Sequence, residues 1–265
     1  MDLSAIARRL AATGCIRPDD EARELVTAAS DEATLERWIG MRDRGEPLAW
    51  IVGSVSFNGR RVGVDRGVYV PRPQTETLAR RAATFLPTRG TAADLCAGSG
   101  AIALHLMHEA RSASVVATDI DRLACACARR NGVPVIQTPL GRALRDRAFD
   151  VVTAVAPYVP TDDIRLLPED VRSHEPRRSL DGGADGLEVV RGVVVEAARL
   201  LRPGGWLLTE IGGSQDVALA PTLEENGFAA SEPWFDEEGD LRGIAVRRDR
   251  SRVLPLGSAH EKGAR

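Results

Sequence analysis

The sequence predicts an α/β fold: a Rossmann-like, largely parallel sheet wrapped by helices, preceded by a small helical domain and a linking β-hairpin. Three observations carry that prediction. From residue 91 onward, strand-like and helix-like runs alternate, as they must where parallel strands are joined by crossover helices. The last two strand-like runs, "FAASEPWF" and "LRGIAVRR", are separated only by "DEEGD". That connection is too short for a crossover, so the pair is antiparallel. Residues 2–44, in contrast, carry apolar residues at three-and-four spacing, the helical period.

Taken in order, "LSAIARRLAA" and "DEARELVTAA" read as helices broken by Gly14, Pro18 and Asp19-Asp20, and "ATLERWIGMRDRG" as a third ending at Gly45. They define a helical domain over 1–46. The period changes in "LAWIVGSVSFNGRRVGVD", which is rich in β-branched and aromatic residues around Asn58-Gly59. That dipeptide is a strong hairpin signal, so residues 47–66 read as a linking β-hairpin. The main domain, 67–248, holds "TAADLC" (strand), "GSGAIALHLMHEA" (helix), "ASVVATD" (strand) and "DRLACACARRNG" (helix). The strands "VPVIQ" and "FDVVTAV", a long loop and the helix "GLEVVRGVVVEAARLL" follow. Pro203-Gly204-Gly205 turns into the strand "WLLTEIG", and a helix near 215–226 precedes the final hairpin. Residues 249–265 are polar and aperiodic and read as a disordered tail.

The chain has 265 residues, 43% hydrophobic and 28% charged, with a net charge of −3. That balance is ordinary for a globular protein and argues against a general nucleic-acid binder, which carries a basic surplus. Lys262 is the only lysine, and the arginines are scattered. Cys15, Cys96, Cys125 and Cys127 lack the spacing of a disulfide framework or zinc site and read as core-filling residues. His105 and His108 lie three apart on one helix with no third ligand near them, which reads as a helix-surface pair, and no metal is expected. Trp50, Trp206 and Phe57 are expected to fill cores. With no signal segment and no apolar run approaching the ~20 residues of a membrane span, a cytoplasmic monomer without membrane contact is expected.

Chemistry enters at "DLCAGSGAIAL" (94–104), a strand, a glycine-rich turn and a helix start. Gly98 and Gly100 permit a sharp turn close to a ligand, and the helix N-terminus favours an anionic group. Asp119 ends the next strand, 19 residues after Gly100, where an acid takes ribose hydroxyls. Together they fit a nucleoside-bearing cofactor, although Gly98-x-Gly100-x-x-Ala103 also satisfies a dinucleotide fingerprint. Two features favour S-adenosylmethionine over NAD. The terminal antiparallel hairpin belongs to the class I methyltransferase sheet, and the fourth strand ends in Pro157-Tyr158, where such enzymes hold a target nitrogen.

Several motifs in sequence order then resemble the HemK/PrmC family, the protein-(glutamine-N5) methyltransferases of peptide-chain release factors. They are "RGEPLAWIVGSVSFNG" (44–59), "GVYVPRPQTE" (67–76), "DLCAGSGAIAL", "EPRRSLDGGADGLEVVR" (175–191) and "LLRPGGWLLTEIGGSQ" (200–215). The likeness spans about residues 20–248. It implies a seven-stranded class I S-adenosylmethionine-dependent methyltransferase domain. Its cofactor would lie over Asp94, Cys96, Ala97, Gly98, Ser99 and Gly100, with the ribose on Asp119 and Ile120, Leu140 and Val155 nearby. It carries substrate contacts onto Arg72, Pro73 and Glu76 and places the reacting centre at Val155, Ala156, Pro157 and Tyr158. The N-terminal helices would recognise the partner, a release factor bearing a Gly-Gly-Gln loop.

Two positions depart from the family. Its fourth strand ends in Asn-Pro-Pro-Tyr or Asn-Ala-Pro-Tyr, and here Val155 stands for the asparagine. An amide nitrogen is a poor nucleophile, and the family grips its NH2 with the Asn oxygen and the next carbonyl; Val155 leaves only the carbonyl of Ala156, with Tyr158 to pack on the amide. The family's acidic residue after the third strand is replaced in "VIQTPLG", at or near Pro139. Three readings follow: a glutamine methyltransferase that tolerates the loss, a same-fold enzyme redirected to an unidentified small-molecule acceptor, or a binding protein without turnover. His174-Glu175-Pro176 either borders the substrate or packs its loop, and Arg72, between two prolines, either braces a loop or meets an anion.

Overall fold

In the computed structural model, which describes residues 2–249 apart from 13, 16 and 230, the chain opens with α1 (Leu3–Ala12), α2 (Pro18–Ala28) and α3 (Glu32–Asp43). Pro18 starts α2 at its first turn, where three acids complement the helix dipole. The Asp31 carboxylate caps α3 by accepting from the Thr34 amide at 2.7 Å. Ile6, Leu10, Leu25, Leu35 and Ile39 form a core separate from that of the sheet.

The stretch "LAWIV", read as strand from its composition, is instead the short helix α4 (Leu48–Val52). Pro47 precedes its first turn, Gly53 ends it at φ +79°, and Ile51 completes the core of α1–α3. Burial of one face overrides the β-propensity of Ile and Val there. The hairpin follows immediately as β1 (Ser54–Phe57) and β2 (Arg60–Gly63). Asn58 and Gly59, at φ 47° and 71°, form the two-residue turn with both φ positive that matches strand twist.

Next come α5 (Thr75–Phe85), β3 (Thr91–Leu95), α6 (Ala101–Glu109), β4 (Ser114–Asp119), α7 (Arg122–Arg130), β5 (Val135–Gln137) and β6 (Phe149–Ala154). Helix α5 has no counterpart in the sequence reading; Leu78, Ala79 and Ala82 bury one face of it against α6. The segment read as a long loop contains 3-10 turns at Thr161–Leu166 and Arg177–Ser179, with α8 (Glu169–His174) between them. The chain ends through α9 (Glu188–Leu200), β7 (Leu201–Thr209), α10 (Gln215–Glu225), β8 (Glu232–Phe235) and β9 (Leu241–Arg247). Strand β7 starts before Pro203-Gly204-Gly205, absorbing them where its pairing with β6 shifts register. The tail expected from 249 lies, beyond Asp249 itself, outside the described residues.

Seven strands pair in the order β5-β4-β3-β6-β7-β9-β8, parallel except for β9, which runs antiparallel to β7 and β8. The period of two along each strand feeds two cores. Val152 and Leu207 face α9 and α10, whereas Ala92, Val151 and Leu208 face α5 and α6. Strand order reverses at β3, so the crevice beyond the C-terminal ends of β3, β4 and β6 is the topological switch point, where open α/β sheets bind ligands. All four cysteines are free; Cys125 and Cys127 are buried, Cys15 and Cys96 partly so.

His105 corrects the surface-pair expectation: it is 6% exposed, with neither ring nitrogen hydrogen-bonded, and only His108 faces outward. Phe57 is buried, as expected. Trp50 and Trp206 are half-buried; the Trp50 indole N–H donates to the Val68 carbonyl at 2.9 Å, and Trp206 stacks on Phe85 at 4.2 Å. Among the described residues, no helix is long and apolar enough to cross a membrane.

Candidate active site

A cavity of about 290 Å³ lies at the switch point, near the lower end of the ~300–1,000 Å³ typical of small-molecule sites. Its floor is the turn after β3. Cys96, Gly98 and Gly100 there all have positive φ (56°, 56° and 81°), a path glycine follows without strain. A Cβ on Gly98 would meet nothing within 4 Å, so the backbone angle alone demands glycine. On Gly100 a Cβ would also come within 3.0 Å of Val133 and 3.2 Å of Ala128.

Asp119 closes one wall. Its carboxylate accepts the Gly98 amide and the Asp121 amide, each at 2.8 Å. Burial pushes its carboxyl up, and the two amides oppose that shift. Ile120, more than half exposed at 57%, joins Pro139 and Leu140 in an apolar rim. An exposed isoleucine beside a buried acid suits a flat ring above a ribose. The opposite wall comes from Val68, Tyr69 and Pro71 before α5 and from Pro176, Arg178 and Ser179 after α8. The Arg178 guanidinium reaches Asp121 at 3.5 Å, both residues lining the cavity.

A second cavity, about 270 Å³, opens beside it and is lined by Arg72, Gln74, Ala156, Tyr158, Leu167 and Leu180 among others. The two cavities share three residues, Tyr69, Val155 and Ser179. Val155 therefore stands at their junction. Tyr158 lines the second cavity, and its hydroxyl donates to Glu210 Oε2 at 3.3 Å. Burial raises the phenol well above its usual range and pushes Glu210 up to about 7. Glu210 Oε1 is buried without a partner.

Arg72 resolves the choice between brace and anion site. Its guanidinium pairs with Glu175, whose side chain is 1% exposed, and lies 4.9 Å over the Tyr69 ring. Glu175 also accepts the Val70 amide at 3.3 Å. Glu175 thus packs its loop against the 69–72 stretch, while Pro176 borders the first cavity.

Of the residues singled out from sequence, Cys96, Ala97, Gly98, Ser99, Asp119, Ile120, Leu140, Val155 and Pro157 line the first cavity. Gly100 shapes the turn without lining it. Asp94 lies behind the turn: its carboxylate accepts from Thr153 Oγ1 at 2.8 Å and the Ala103 amide at 3.3 Å. Burial pushes it up to about 7. It braces the loop from behind.

Pro73 and Glu76, expected as substrate contacts, line neither of these two cavities. Glu76 faces Arg80 at 3.4 Å, one turn along α5, which carries it away from the crevice. The sequence reading missed Tyr69, Thr75, Asp121, Arg178, Ser179 and Glu210. Five of these, all but Asp121, sit inside the motifs at 67–76, 175–191 and 200–215, which mark the segments but not which side chains turn inward; Asp121 lies two residues past Asp119.

No protein-family model matches the chain. Among solved structures, it is similar to a ribosomal protein L11 methylase from Lactobacillus delbrueckii subsp. bulgaricus (TM-score 0.52, 19% identity, 71% of this chain and 85% of that one). It is similar also to the T. thermophilus 16S rRNA N2 G1207 methyltransferase solved with AdoMet and guanosine (TM-score 0.52, 21% identity, 77% and 46%). At those identities the likeness shows the fold, that of class I S-adenosylmethionine-dependent methyltransferases. Sequence relatives go further. The chain is 38% identical over 277 residues to the release factor glutamine methyltransferase of Moorella thermoacetica, covering 93% of this chain and 98% of that one. It is 35% identical over 215 residues to the Geobacter sulfurreducens protein of the same description (79% and 76%). It is 33% identical over 270 to that of Cereibacter sphaeroides (92% and 96%). With such identity carried across almost the full length of both chains, and with the crevice where that fold binds its cofactor, the protein belongs to the release factor glutamine methyltransferase family.

Proposed function

We propose that this protein is an S-adenosylmethionine-dependent enzyme that methylates the side-chain amide nitrogen of a glutamine in a peptide-chain release factor. The observation that carries the proposal is the meeting of two cavities at Val155, one walled for a nucleoside and the other opening to the surface beside Tyr158. The residues present fit the cofactor. Asp119 keeps carboxylate lone pairs for ribose hydroxyls beyond the two amides it accepts, and Ile120, Pro139 and Leu140 offer apolar surface for adenine. When bound, S-adenosylmethionine supplies a methyl group on a positively charged sulfur. The protein's task is then positioning. The Ala156 carbonyl takes one amide proton, Tyr158 packs against the amide plane with its hydroxyl anchored by Glu210, and the apolar junction excludes water.

The helices within 1–46 recognise the partner in this proposal. The chain acts as a monomer in this proposal. With a substrate that works at the ribosome, its compartment is the cytoplasm. The decisive experiment incubates the full-length protein with a release factor and methyl-labelled S-adenosylmethionine and maps the label by mass spectrometry. Label on the glutamine of the Gly-Gly-Gln loop is expected; cofactor binding without transfer would reject the proposal.

One observation favours a second reading. Val155 offers no acceptor, and the second cavity has the size of a small ligand, which suits a carboxylate, phenolate or amine acceptor nucleophilic enough not to need one. In that case Val155→Asn slows turnover of the small acceptor, whereas for a glutamine acceptor it raises the rate.

A further inference from the structure

The junction between the cavities is where an acceptor nitrogen has to be held, and among the described residues three line both: Tyr69, Val155 and Ser179. Val155 is apolar, so any side-chain hydrogen bond offered there comes from the other two. Their hydroxyls can serve in opposite senses. Ser179 Oγ donates its proton to the Pro176 carbonyl at 2.6 Å, which leaves it free to accept. The Arg72 guanidinium lies 4.9 Å over the Tyr69 ring and, having donors only, cannot take the phenol proton. Tyr69 therefore keeps its own proton to give. Arg72 is in turn held by Glu175, which keeps the guanidinium over the ring. An accepting oxygen and a donating O–H at one junction are the complement of a primary carboxamide, which donates through nitrogen and accepts through oxygen.

We propose that Ser179 and Tyr69 together grip the acceptor carboxamide in place of an asparagine at 155: Ser179 Oγ accepts an amide N–H and the Tyr69 hydroxyl donates to the amide oxygen. This rests on the glutamine reading above. Ser179 reaches the site because the 3-10 turn 177–179 is pinned by the buried Arg72–Glu175 pair on one side. On the other side, the Arg178–Asp121 contact ties the turn to the end of β4.

The test is a set of full-length variants assayed on an intact release factor, with cofactor affinity measured separately by calorimetry. Ser179→Ala is expected to lower kcat on the order of tenfold to hundredfold, as loss of a positioned hydrogen bond at a reacting centre does, a larger factor than any change in cofactor affinity. Ser179→Thr, which keeps the hydroxyl, is expected to retain most of the rate, and Tyr69→Phe to lower it. The decisive comparison is Ser179→Ala in a Val155→Asn background, where the restored asparagine takes the N–H and the loss is expected to shrink to about twofold or threefold. A merely structural serine would cost the same in both backgrounds, and that equality overturns the proposal, as does full activity of Ser179→Ala. A silent wild type with an active Val155→Asn variant also overturns it, since nothing would then be replacing the asparagine, while the glutamine reading stands. If the wild type and Val155→Asn are both silent despite binding cofactor, the glutamine reading itself fails and takes this proposal with it.

Discussion

Gly98 and Gly100 show how two glycines of one turn are required for different reasons, and mutation separates them. Gly98→Ala meets only the strain of a left-handed backbone, about 1–2 kcal/mol. Gly100→Ala adds contacts at 3.0 and 3.2 Å with Val133 and Ala128 and should cost more, about 2–4 kcal/mol, with loss of cofactor binding. Thermal unfolding and cofactor titration of the two variants check that order. Asp119→Ala should weaken cofactor binding and also cost about 1–3 kcal/mol, because the amides of Gly98 and Asp121 lose their acceptor.

Glu210 carries a pH dependence of definite sign. Its ordinary value is 4.5, and burial pushes it up to about 7 in the fold. Between those values the native state holds the proton more readily than the unfolded chain, so stability falls as pH rises through this window. The loss from this group is on the order of 3 kcal/mol. Asp94, also pushed up to about 7, acts in the same direction. Melting temperatures at about pH 5 and about pH 8 should show the wild type losing stability at the higher pH and Glu210→Gln losing clearly less.

At the scale of elements, the segment from Glu175 to Ser179 forms a strap over the crevice. Arg72 is 24% exposed and Glu175 only 1%, so removing the arginine leaves a buried carboxylate facing a single amide. Arg72→Ala should cost about 3 kcal/mol and weaken cofactor binding, because Pro176, Arg178 and Ser179 lose their anchor. Cofactor calorimetry beside a denaturation curve tests both halves. Some elements were legible locally. Asn58-Gly59 specified its hairpin through φ preferences alone, and the strands from β3 to β6 stood out as apolar runs. Two were not. "LAWIV" has strand-like residues but a helical fold because Ile51 finds the N-terminal core, and α5 hides its apolar face behind three small alanines and two arginines.

For the molecule as a whole, the N-terminal helices are tied to the catalytic crevice by one arginine. Arg42 pairs with Glu21 at 2.6 Å within the bundle, reaches Asp170 of α8 at 3.3 Å and donates to the Glu46 carbonyl. Arg42→Ala should lower the melting temperature and raise amide exchange in α1–α3. Cofactor affinity should stay unchanged, while methylation of a release factor falls. Equal exchange rates in the variant would show that the bundle is held by other contacts.

The sequence by itself determined the order of elements, the parallel sheet with its antiparallel end, the glycine turn and the acid of the nucleoside site. Each of these is a local property: a period, a turn preference, a spacing along one strand–turn–helix unit. It also marked Val155 as the odd residue at the reacting centre. Only the tertiary structure decided that Asp94 sits behind the loop, that Glu76 turns away, and that Arg72 is spent on Glu175. It alone brought Tyr69 and Ser179 to the cavity junction with Val155. Those residues come from segments separated by about a hundred positions, and nothing in a linear pattern says which of their side chains share a cavity. That is settled by how the 69–72 stretch and the 175–179 strap pack over the ends of the strands.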